Sequence, residues 1–149
     1  MLRDLLTILA LFGGDMPVKL IKLSDTNMKL ASDAEDIRGR RVIDSKGEEM
    51  GLVDELLIDD SQKRVRFLRI ATRGFLGMGG QRYLIPVDAI VNINDLTVVA
   101  NMTRQRIADA PPYDPDVVDE RYLDRVYQHY GYAPYWAAGY LYPAYPFYL

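Results

Sequence analysis

The sequence contains no cysteine and a single histidine among its 149 residues. The absence of cysteine excludes disulfides and thiolate metal sites, and one histidine cannot form the histidine clusters that bind zinc. An excess of charge of one sign is also lacking, since 18 basic and 21 acidic residues give a net charge of -3. A protein that coats nucleic acid needs a surplus of lysine and arginine, so this balance argues against that class. We therefore expect one soluble globular domain that holds no metal and no cofactor.

Long hydrophobic runs are also missing. The apolar run Leu5–Phe12 is much shorter than the 20 or so apolar residues that a membrane-spanning helix needs. A signal peptide has a basic start, but here Asp4 offsets Arg3, so we expect neither a cleaved signal nor a transmembrane helix. We predict an N-terminal extension, residues 1–35, with a short apolar helix that packs on the domain, on a partner or at the edge of a bilayer.

From residue 36 to residue 101, short apolar and β-branched runs alternate with turn residues. The runs are Arg41–Ile43, Gly51–Ile58, Val65–Ala71, Tyr83–Ile85 and Leu96–Ala100. We interpret them as a meander of short antiparallel strands, in which Pro86 marks a strand start or an edge strand because proline cannot donate to a ladder. About five strands in roughly 60 residues are typical of a small closed barrel. The predicted fold class is mainly β.

Residues 102–149 change to a helical pattern followed by a tail. A brief helical turn at Thr103–Ala108 should end before the prolines that follow it. A longer helix is predicted to begin with Asp114 as its N-cap and Pro115 at its first position, and to end at Gly131. Its apolar stripe recurs every four residues: Val118, Tyr122, Val126 and Tyr130.

The last 20 residues carry no charged side chain, and nine of them are aromatic. Disordered tails usually contain few aromatic residues, so we expect this Tyr/Pro-rich tail to become ordered against another surface. That surface is either the chain's own barrel or a partner. The tail residues that we assign to partner binding are Tyr135, Trp136, Tyr140, Tyr142, Tyr145, Phe147 and Tyr148.

A glycine-rich segment, Gly74–Gly80, superficially resembles a phosphate-binding loop. Such a loop opens a helix, whereas a strand follows here, so we interpret it as a connection between strands. Large apolar side chains on a flexible loop are unfavourable in water, and we expect some of them to contact another surface. These residues are Phe75, Leu76 and Met78.

Arginine is concentrated between residues 61 and 87, a stretch that contains no acidic residue. Two interpretations remain open. The arginines either pair with acids on adjacent strands, or they form a basic face that meets an acidic protein, anionic lipid or RNA. The residues of this candidate basic face are Arg64, Arg66, Arg69, Arg73 and Arg82.

No catalytic constellation stands out. Carboxylate pairs such as Asp59/Asp60 fall on predicted turns, where we expect solvated side chains without the shifted pKa that acid–base catalysis requires. His129 has no second histidine to share a metal with, and we expect it to face water or to cap a helix end. We therefore expect no catalytic residues, and we predict that the protein is not an enzyme.

The central segment resembles the PRC-barrel family. The resemblance is carried by Asp36–Asp44, Met50–Asp59, Val65–Leu68 and Leu84–Ile90, together with the glycine-rich loop between the last two. This fold is shared by the cytoplasmic part of the photosynthetic reaction-centre H subunit and by the C-terminal domain of a ribosome maturation factor. The resemblance implies a small antiparallel β-barrel over residues 36–101 and names no catalytic motif. One departure is Ser61–Lys63, where the family often has a glycine, so we expect a longer turn.

The resemblance and the apolar ends favour a non-catalytic adaptor that docks on the cytoplasmic face of a larger membrane assembly, such as a photosynthetic reaction centre. Its partners would be protein subunits, with peripheral contact to membrane headgroups and a location at the cytoplasmic side of the inner membrane. The contact residues would be those of the tail and loop above and those of the N-terminal helix: Leu5, Leu6, Ile8, Leu9 and Phe12. The alternatives are a self-associating stress-type protein and an RNA- or ribosome-associated assembly factor.

Overall fold

The computed structural model describes residues 18–26, 36–72, 80–143 and 145. The predicted N-terminal helix, the segment 73–79 and residues 146–149 lie outside this part of the chain. Within it, the fold is mainly β, as predicted, and has seven strands. They are β1 (Leu20–Lys22), β2 (Arg41–Ile43), β3 (Glu49–Asp59), β4 (Val65–Ala71), β5 (Arg82–Pro86), β6 (Ile90–Ile93) and β7 (Thr97–Ala100).

One sheet contains all seven strands, in the order β5-β4-β3-β2-β7-β6, with β1 added to β3. The expected antiparallel meander is wrong at one place, because β2 and β7 pair in parallel, with Arg41 opposite Thr97. The β6–β7 hairpin attaches to the free edge of β2 through its second strand, which then runs in the same direction as β2. Pro86 ends β5, and β5 is an edge strand, which confirms the interpretation of that proline.

The expected closed barrel is also corrected. Among the described residues no ladder joins the two edge strands β5 and β6, so the sheet stays open. Where a closed barrel would pair its two edge strands, the helix Glu120–Tyr130 packs over the core. The Tyr127 ring of that helix lies 5.0 Å from the Phe67 ring on β4, and both side chains are completely buried.

Two helices follow the sheet. Helix α1 (Arg104–Ala108) begins after Thr103, whose side chain accepts from the Arg106 N–H as a cap. Helix α2 (Glu120–Tyr130) ends at Gly131, which takes the left-handed conformation with φ 81°. No helix in the described ranges is long and apolar enough to cross a membrane.

The predicted start of the longer helix was wrong. Asp114 caps a 3-10 turn at Pro115–Val117, and α2 begins only after Asp119, whose carboxylate accepts from the Tyr122 N–H. The helix starts at the second cap because the backbone of Asp119 is extended, which interrupts the helical conformation between Val117 and Glu120. The buried part of the predicted stripe is confirmed at Tyr122, Val126 and Tyr130.

His129 joins the two helices. Its Nε2 lies 2.6 Å from the carbonyl oxygen of Arg106, and the Arg106 guanidinium donates to the carbonyl oxygen of His129 at 3.0 Å. These reciprocal contacts satisfy carbonyl groups in the last turns of both helices, where intrahelical partners are missing. The histidine therefore fixes how α1 sits against α2.

Gly51 allows β3 and β4 to approach each other closely. A Cβ at this position would lie 2.3 Å from the backbone oxygen of Ala71, a distance that real Cβ atoms do not reach. We expect Gly51→Ala to lower the free energy of unfolding by about 3 kcal/mol or more, because the β3–β4 pairing must shift. Urea denaturation of the full chain measures this loss.

Gly47→Ala is the matched control. Gly47 has φ 85° but nothing lies within 4 Å of its added Cβ, so only the backbone conformation is penalised. Its expected loss is about 1 kcal/mol. Equal losses in the two variants would contradict the role assigned to the close approach at Gly51.

Candidate protein-interaction surface

A buried ion pair lies at the end of the β3–β4 hairpin. The Nε of Arg66 on β4 donates to the Oδ2 of Asp59 at 2.6 Å, and the two side chains are 2% and 1% exposed. The second arm of the guanidinium donates to the Oε1 of Gln62 at 2.5 Å. Because β4 is buried on both faces, an arginine in this strand needs both partners to satisfy its donors.

Asp59 also shapes the turn between β3 and β4. Its carboxylate accepts the backbone N–H groups of Gln62 and Arg64, and its backbone oxygen accepts the N–H of Lys63 at 3.0 Å. Lys63 has φ 61°, a conformation that usually favours glycine. The expectation that Asp59 is a solvated turn acid was therefore wrong, because its side chain turns inward to hold a turn that lacks glycine.

The pKa of Asp59 follows from these contacts. Burial alone would raise this pKa, but the Gln62 N–H and the Arg66 guanidinium outweigh burial and hold the pKa below its ordinary value. Asp59 therefore stays ionised at neutral pH. Its contribution to folding is present above the ordinary aspartate pKa and is lost as the pH falls through the lowered value.

The C-terminal tail covers this ion pair. We call residues 132–143 the docked tail. Its rings of Tyr135, Tyr142 and Tyr140 surround Arg66, with the guanidinium carbon 4.4, 5.3 and 5.8 Å from their respective centroids. The aromatic faces attract the cation and exclude water from it. Burial, with Asp59 nearby, raises the pKa of Tyr135 to about 12, so this hydroxyl stays neutral.

Two tyrosine hydroxyls fasten the docked tail to the barrel. The Tyr140 hydroxyl donates to the Oδ2 of Asp88 at 2.8 Å, and the Tyr142 hydroxyl donates to the backbone oxygen of Val65 at 3.1 Å. The Arg64 guanidinium lies 4.7 Å from the Tyr142 centroid. We call Arg64, Val65, Arg66 and Asp88 the tail receptor.

Asp88 is an unusual member of the tail receptor. Burial raises its pKa above the ordinary value, although the Tyr140 hydroxyl and the charge of Arg66 act in the opposite direction. Its Oδ1 is buried and accepts no hydrogen bond within the described residues. The carboxylate is thus only half satisfied when it is ionised.

Aromatic rings continue from the barrel into the docked tail. The Tyr127 ring on α2 contacts Phe67 of the sheet on one side and lies 5.7 Å from the Trp136 ring on the other. The Trp136 ring in turn lies 5.2 Å from that of Tyr135, edge to face. Tilted and edge-to-face arrangements of this kind are favourable beyond simple burial. They fix the tail on the helix that covers the core.

The structure places the predicted tail residues against the chain's own barrel. Tyr145 is buried, and the other described aromatic residues of the tail are half-buried. Tyr135, Trp136, Tyr140, Tyr142 and Tyr145 therefore have packing roles within the chain, and their role in partner binding stays a prediction. The remaining predicted contact residues lie outside the described residues: Leu5, Leu6, Ile8, Leu9, Phe12, Phe75, Leu76, Met78, Phe147 and Tyr148.

The arginines of the candidate basic face are largely paired with acids. Arg69 donates to Asp54 at 2.9 Å, and Arg82 donates to the other oxygen of the same carboxylate at 2.8 Å. Together with the buried Arg66, three of the arginines thus meet carboxylates of β3, which is the first of the two interpretations left open above. Arg64 faces a tyrosine ring, and Arg73 lies outside the described residues.

Sequence reasoning missed the most exposed apolar side chain of the tail. Leu141 is 86% exposed, whereas its neighbours Tyr140 and Tyr142 turn their hydroxyls to the barrel. The alternation of Tyr, Leu and Tyr in an extended segment is the signal that could have revealed it, because successive side chains then point to opposite sides. Leu96, in the β6–β7 turn, is 69% exposed.

A pocket of about 340 Å³ opens beside the docked tail, where β1 meets the β3–β4 turn. It is lined by Val18, Lys19, Asp60, Ser61, Gln62, Tyr135 and Trp136. Aromatic side chains are enriched at protein interfaces, and two of them, Tyr135 and Trp136, line this pocket. Within the described ranges no group of acidic or histidine side chains could hold a metal ion.

Two further buried acids are structural, and sequence reasoning missed both. The Asp44 carboxylate accepts the backbone N–H groups of Lys46, Glu48 and Arg104, and so joins the β2–β3 turn to the start of α1. The Glu55 carboxylate accepts the hydroxyl of Ser24 after β1. Both carboxylates hold separate segments of the chain together.

A family model described as PRC-barrel domain matches residues 31–106, about half of the chain. The match spans β2 to β7 and ends within α1, so most of the docked tail's partners lie inside it and the tail itself lies beyond it. No curated protein matches this chain.

Removal of Arg66 should strongly destabilise the fold. We expect Arg66→Met to lower the free energy of unfolding by about 3–5 kcal/mol, because Asp59 is left buried without its counter-ion. Arg82→Met is the control, since Arg82 is exposed and Asp54 keeps Arg69. Its expected loss is about 0–1 kcal/mol. Urea denaturation compares the two, and similar losses would contradict a special role for the buried pair.

The raised pKa of Asp88 predicts a pH-dependent stability. The fold favours its protonated form, so this contribution is full below the ordinary aspartate pKa and is lost as the pH rises through the raised value. We expect the wild type to lose free energy of unfolding relative to Asp88→Asn as the pH rises above the ordinary aspartate pKa and through the raised value. Tyr140→Phe, which removes the donor to Asp88, should steepen the loss. A wild-type–variant difference that does not change with pH would refute this prediction.

Proposed function

The chain belongs to the PRC-barrel domain family, and from this premise we propose that it is a non-catalytic adaptor that connects protein subunits of a larger assembly. The family makes it a protein-interaction or structural module. Within that role, the outward side of the docked tail is the contact surface for a partner.

The observation that carries this proposal is that Leu141 is exposed between two residues that are bonded to the barrel. A large apolar side chain is held in water by two neighbours whose hydroxyls are fixed to Asp88 and Val65. A rigid, exposed apolar side chain loses little conformational entropy when a partner covers it. A partner that covers this side chain removes its apolar surface from water, which favours association.

The proposed absence of catalysis rests on how the buried carboxylates are used. Asp44 and Asp59 accept backbone N–H groups of turns, Glu55 accepts from Ser24, and Asp88 accepts from Tyr140. Each holds two parts of the chain together. A general acid or base must instead reach a substrate proton in a cleft.

We place the adaptor at the cytoplasmic side of a membrane assembly, and a photosynthetic reaction centre is the leading candidate. The support is the resemblance of the central segment to the cytoplasmic barrel of the reaction-centre H subunit. The partners are protein subunits, with membrane headgroups as a peripheral contact.

Fractionation of cells that naturally produce the protein tests this function. The membrane fraction is washed with high salt and then with mild detergent, and the copurifying subunits and pigments are identified by mass spectrometry and absorption. We expect the chain to remain with a defined membrane complex after the salt wash, since an apolar contact is not screened by salt. Leu141→Asp should lower the bound fraction about tenfold or more.

Leu96→Asp is the matched control, because it places the same charge at another exposed leucine, in the β6–β7 turn. This variant should remain bound to the complex. A wild-type chain that is recovered only as a free monomer would overturn the proposed function. Equal retention of both variants would show that Leu141 is not the anchor.

A further inference from the structure

The tail receptor is a binding site for a tyrosine-rich segment that this chain fills with its own tail. Its polar groups are a guanidinium that three rings surround, a half-satisfied carboxylate and a backbone carbonyl. All of them belong to the matched barrel region, whereas all of the ring and hydroxyl groups come from the tail beyond it. The barrel region thus binds the tail as a receptor binds a ligand, although both belong to one chain.

The link between them is short and adjustable. Gly131 ends α2 in the left-handed conformation, and only three residues separate it from Tyr135, the first ring over Arg66. Hinges of this kind, a few residues at the end of an element, absorb the backbone rotations of a moving segment. A change at residues 131–134 is therefore sufficient to redirect the tail.

In the part of the chain that the structure describes, the docked tail forms no strand of the sheet. Among the described residues, its backbone hydrogen bonds are local: the Tyr132 N–H donates to the Tyr127 oxygen in the last turn of α2, the Ala137 N–H to the Pro134 oxygen and the Tyr140 N–H to the Ala137 oxygen, at 3.1, 3.0 and 3.1 Å. Its contacts with the tail receptor are made by side chains. Beyond Tyr132, the tail can leave and return without breaking a strand ladder or the hydrogen bonds of the last turn of α2.

We propose that two copies of this chain exchange their tails, so that the docked tail of one copy occupies the tail receptor of the other. A second copy is the occupant because it carries the same tyrosines in the same spacing, and each contact within one chain has an identical counterpart between two chains. The last 20 residues carry no charge, so two crossing tails do not repel each other. This inference goes beyond the proposed function, which uses the outward Leu141 and not the barrel-facing rings.

Exchange leaves the number of tail contacts unchanged, and its equilibrium depends on concentration and on the hinge. Within one chain the hinge gives the tail a high effective concentration at its own receptor, which favours the monomer. A hinge too short to reach back removes that advantage, while the receptor of a second copy stays accessible. Hinge length is therefore the variable that tests the proposal.

The experiment uses the full chain and measures its mass by sedimentation velocity from about 1 to about 500 µM. We expect the dimer fraction of the wild type to rise with concentration. Deletion of Ala133 and Pro134 should lower the dissociation constant of the dimer at least about tenfold, because the tail no longer reaches its own receptor. A two-residue insertion at the same place is the matched control and should weaken the dimer.

Adding Tyr140→Phe and Tyr142→Phe to the shortened chain should reverse its dimerisation, because both hydroxyl contacts with the receptor are lost. A folded, shortened chain that stays monomeric throughout the range would overturn the proposal. A dimer whose dissociation constant is unchanged by the two substitutions would overturn it as well, because another surface would then hold the copies together.

Isotope-filtered NMR on the wild type gives a second readout that does not depend on the folding of any variant. Labelled and unlabelled chains are mixed at high concentration, and contacts are recorded between tyrosine rings of one copy and Val65 or Arg64 of the other. We expect contacts between copies. Contacts confined to single copies would refute the exchange and would leave the proposed role of Leu141 unaffected.

Discussion

The carboxylate of Asp59 is the group on which most of this structure depends. It holds the β3–β4 turn by accepting backbone N–H groups, and it neutralises an arginine inside a strand that is buried on both faces. Burying two charges is expensive unless their remaining donors and acceptors are also satisfied. Here Gln62 takes the second arm of Arg66, and three tail rings cover the cation. The hairpin, the ion pair and the tail therefore form one connected unit.

The fold was predictable where local pattern decides it. The apolar runs between turn residues predicted the positions of β2, β3, β4, β5 and β7, and the family resemblance predicted the mainly β fold class. The parallel pairing of β2 with β7 was not predictable, because no turn connects strands that lie so far apart along the chain. The start of α2 was misplaced because two aspartates five residues apart are both good caps, and only tertiary packing chooses between them.

The candidate site was predictable in composition but not in geometry. An uncharged tail rich in tyrosine indicated that the segment becomes ordered, yet the sequence does not show which groups its hydroxyls meet. Asp59 was misread because an adjacent acid, Asp60, made the pair look like a solvated turn. The informative signal was Arg66 within the apolar run of β4, since a buried arginine requires a nearby carboxylate. Once that pair is placed, the tail has two distinct sides, one fixed to Arg66 and the other presenting Leu141.

The parallel contact between β2 and β7 also constrains how the protein folds. β2 and β3 form a local hairpin as soon as both have been synthesised, but one edge of β2 waits for a strand that comes more than fifty residues later. Such distant pairing requires a large loop to close, and the entropy cost of closure precedes the favourable strand contacts, which slows folding. The waiting edge is exposed on the nascent chain and can pair with other strands during that interval. Arrival of the β6–β7 hairpin covers this edge of β2.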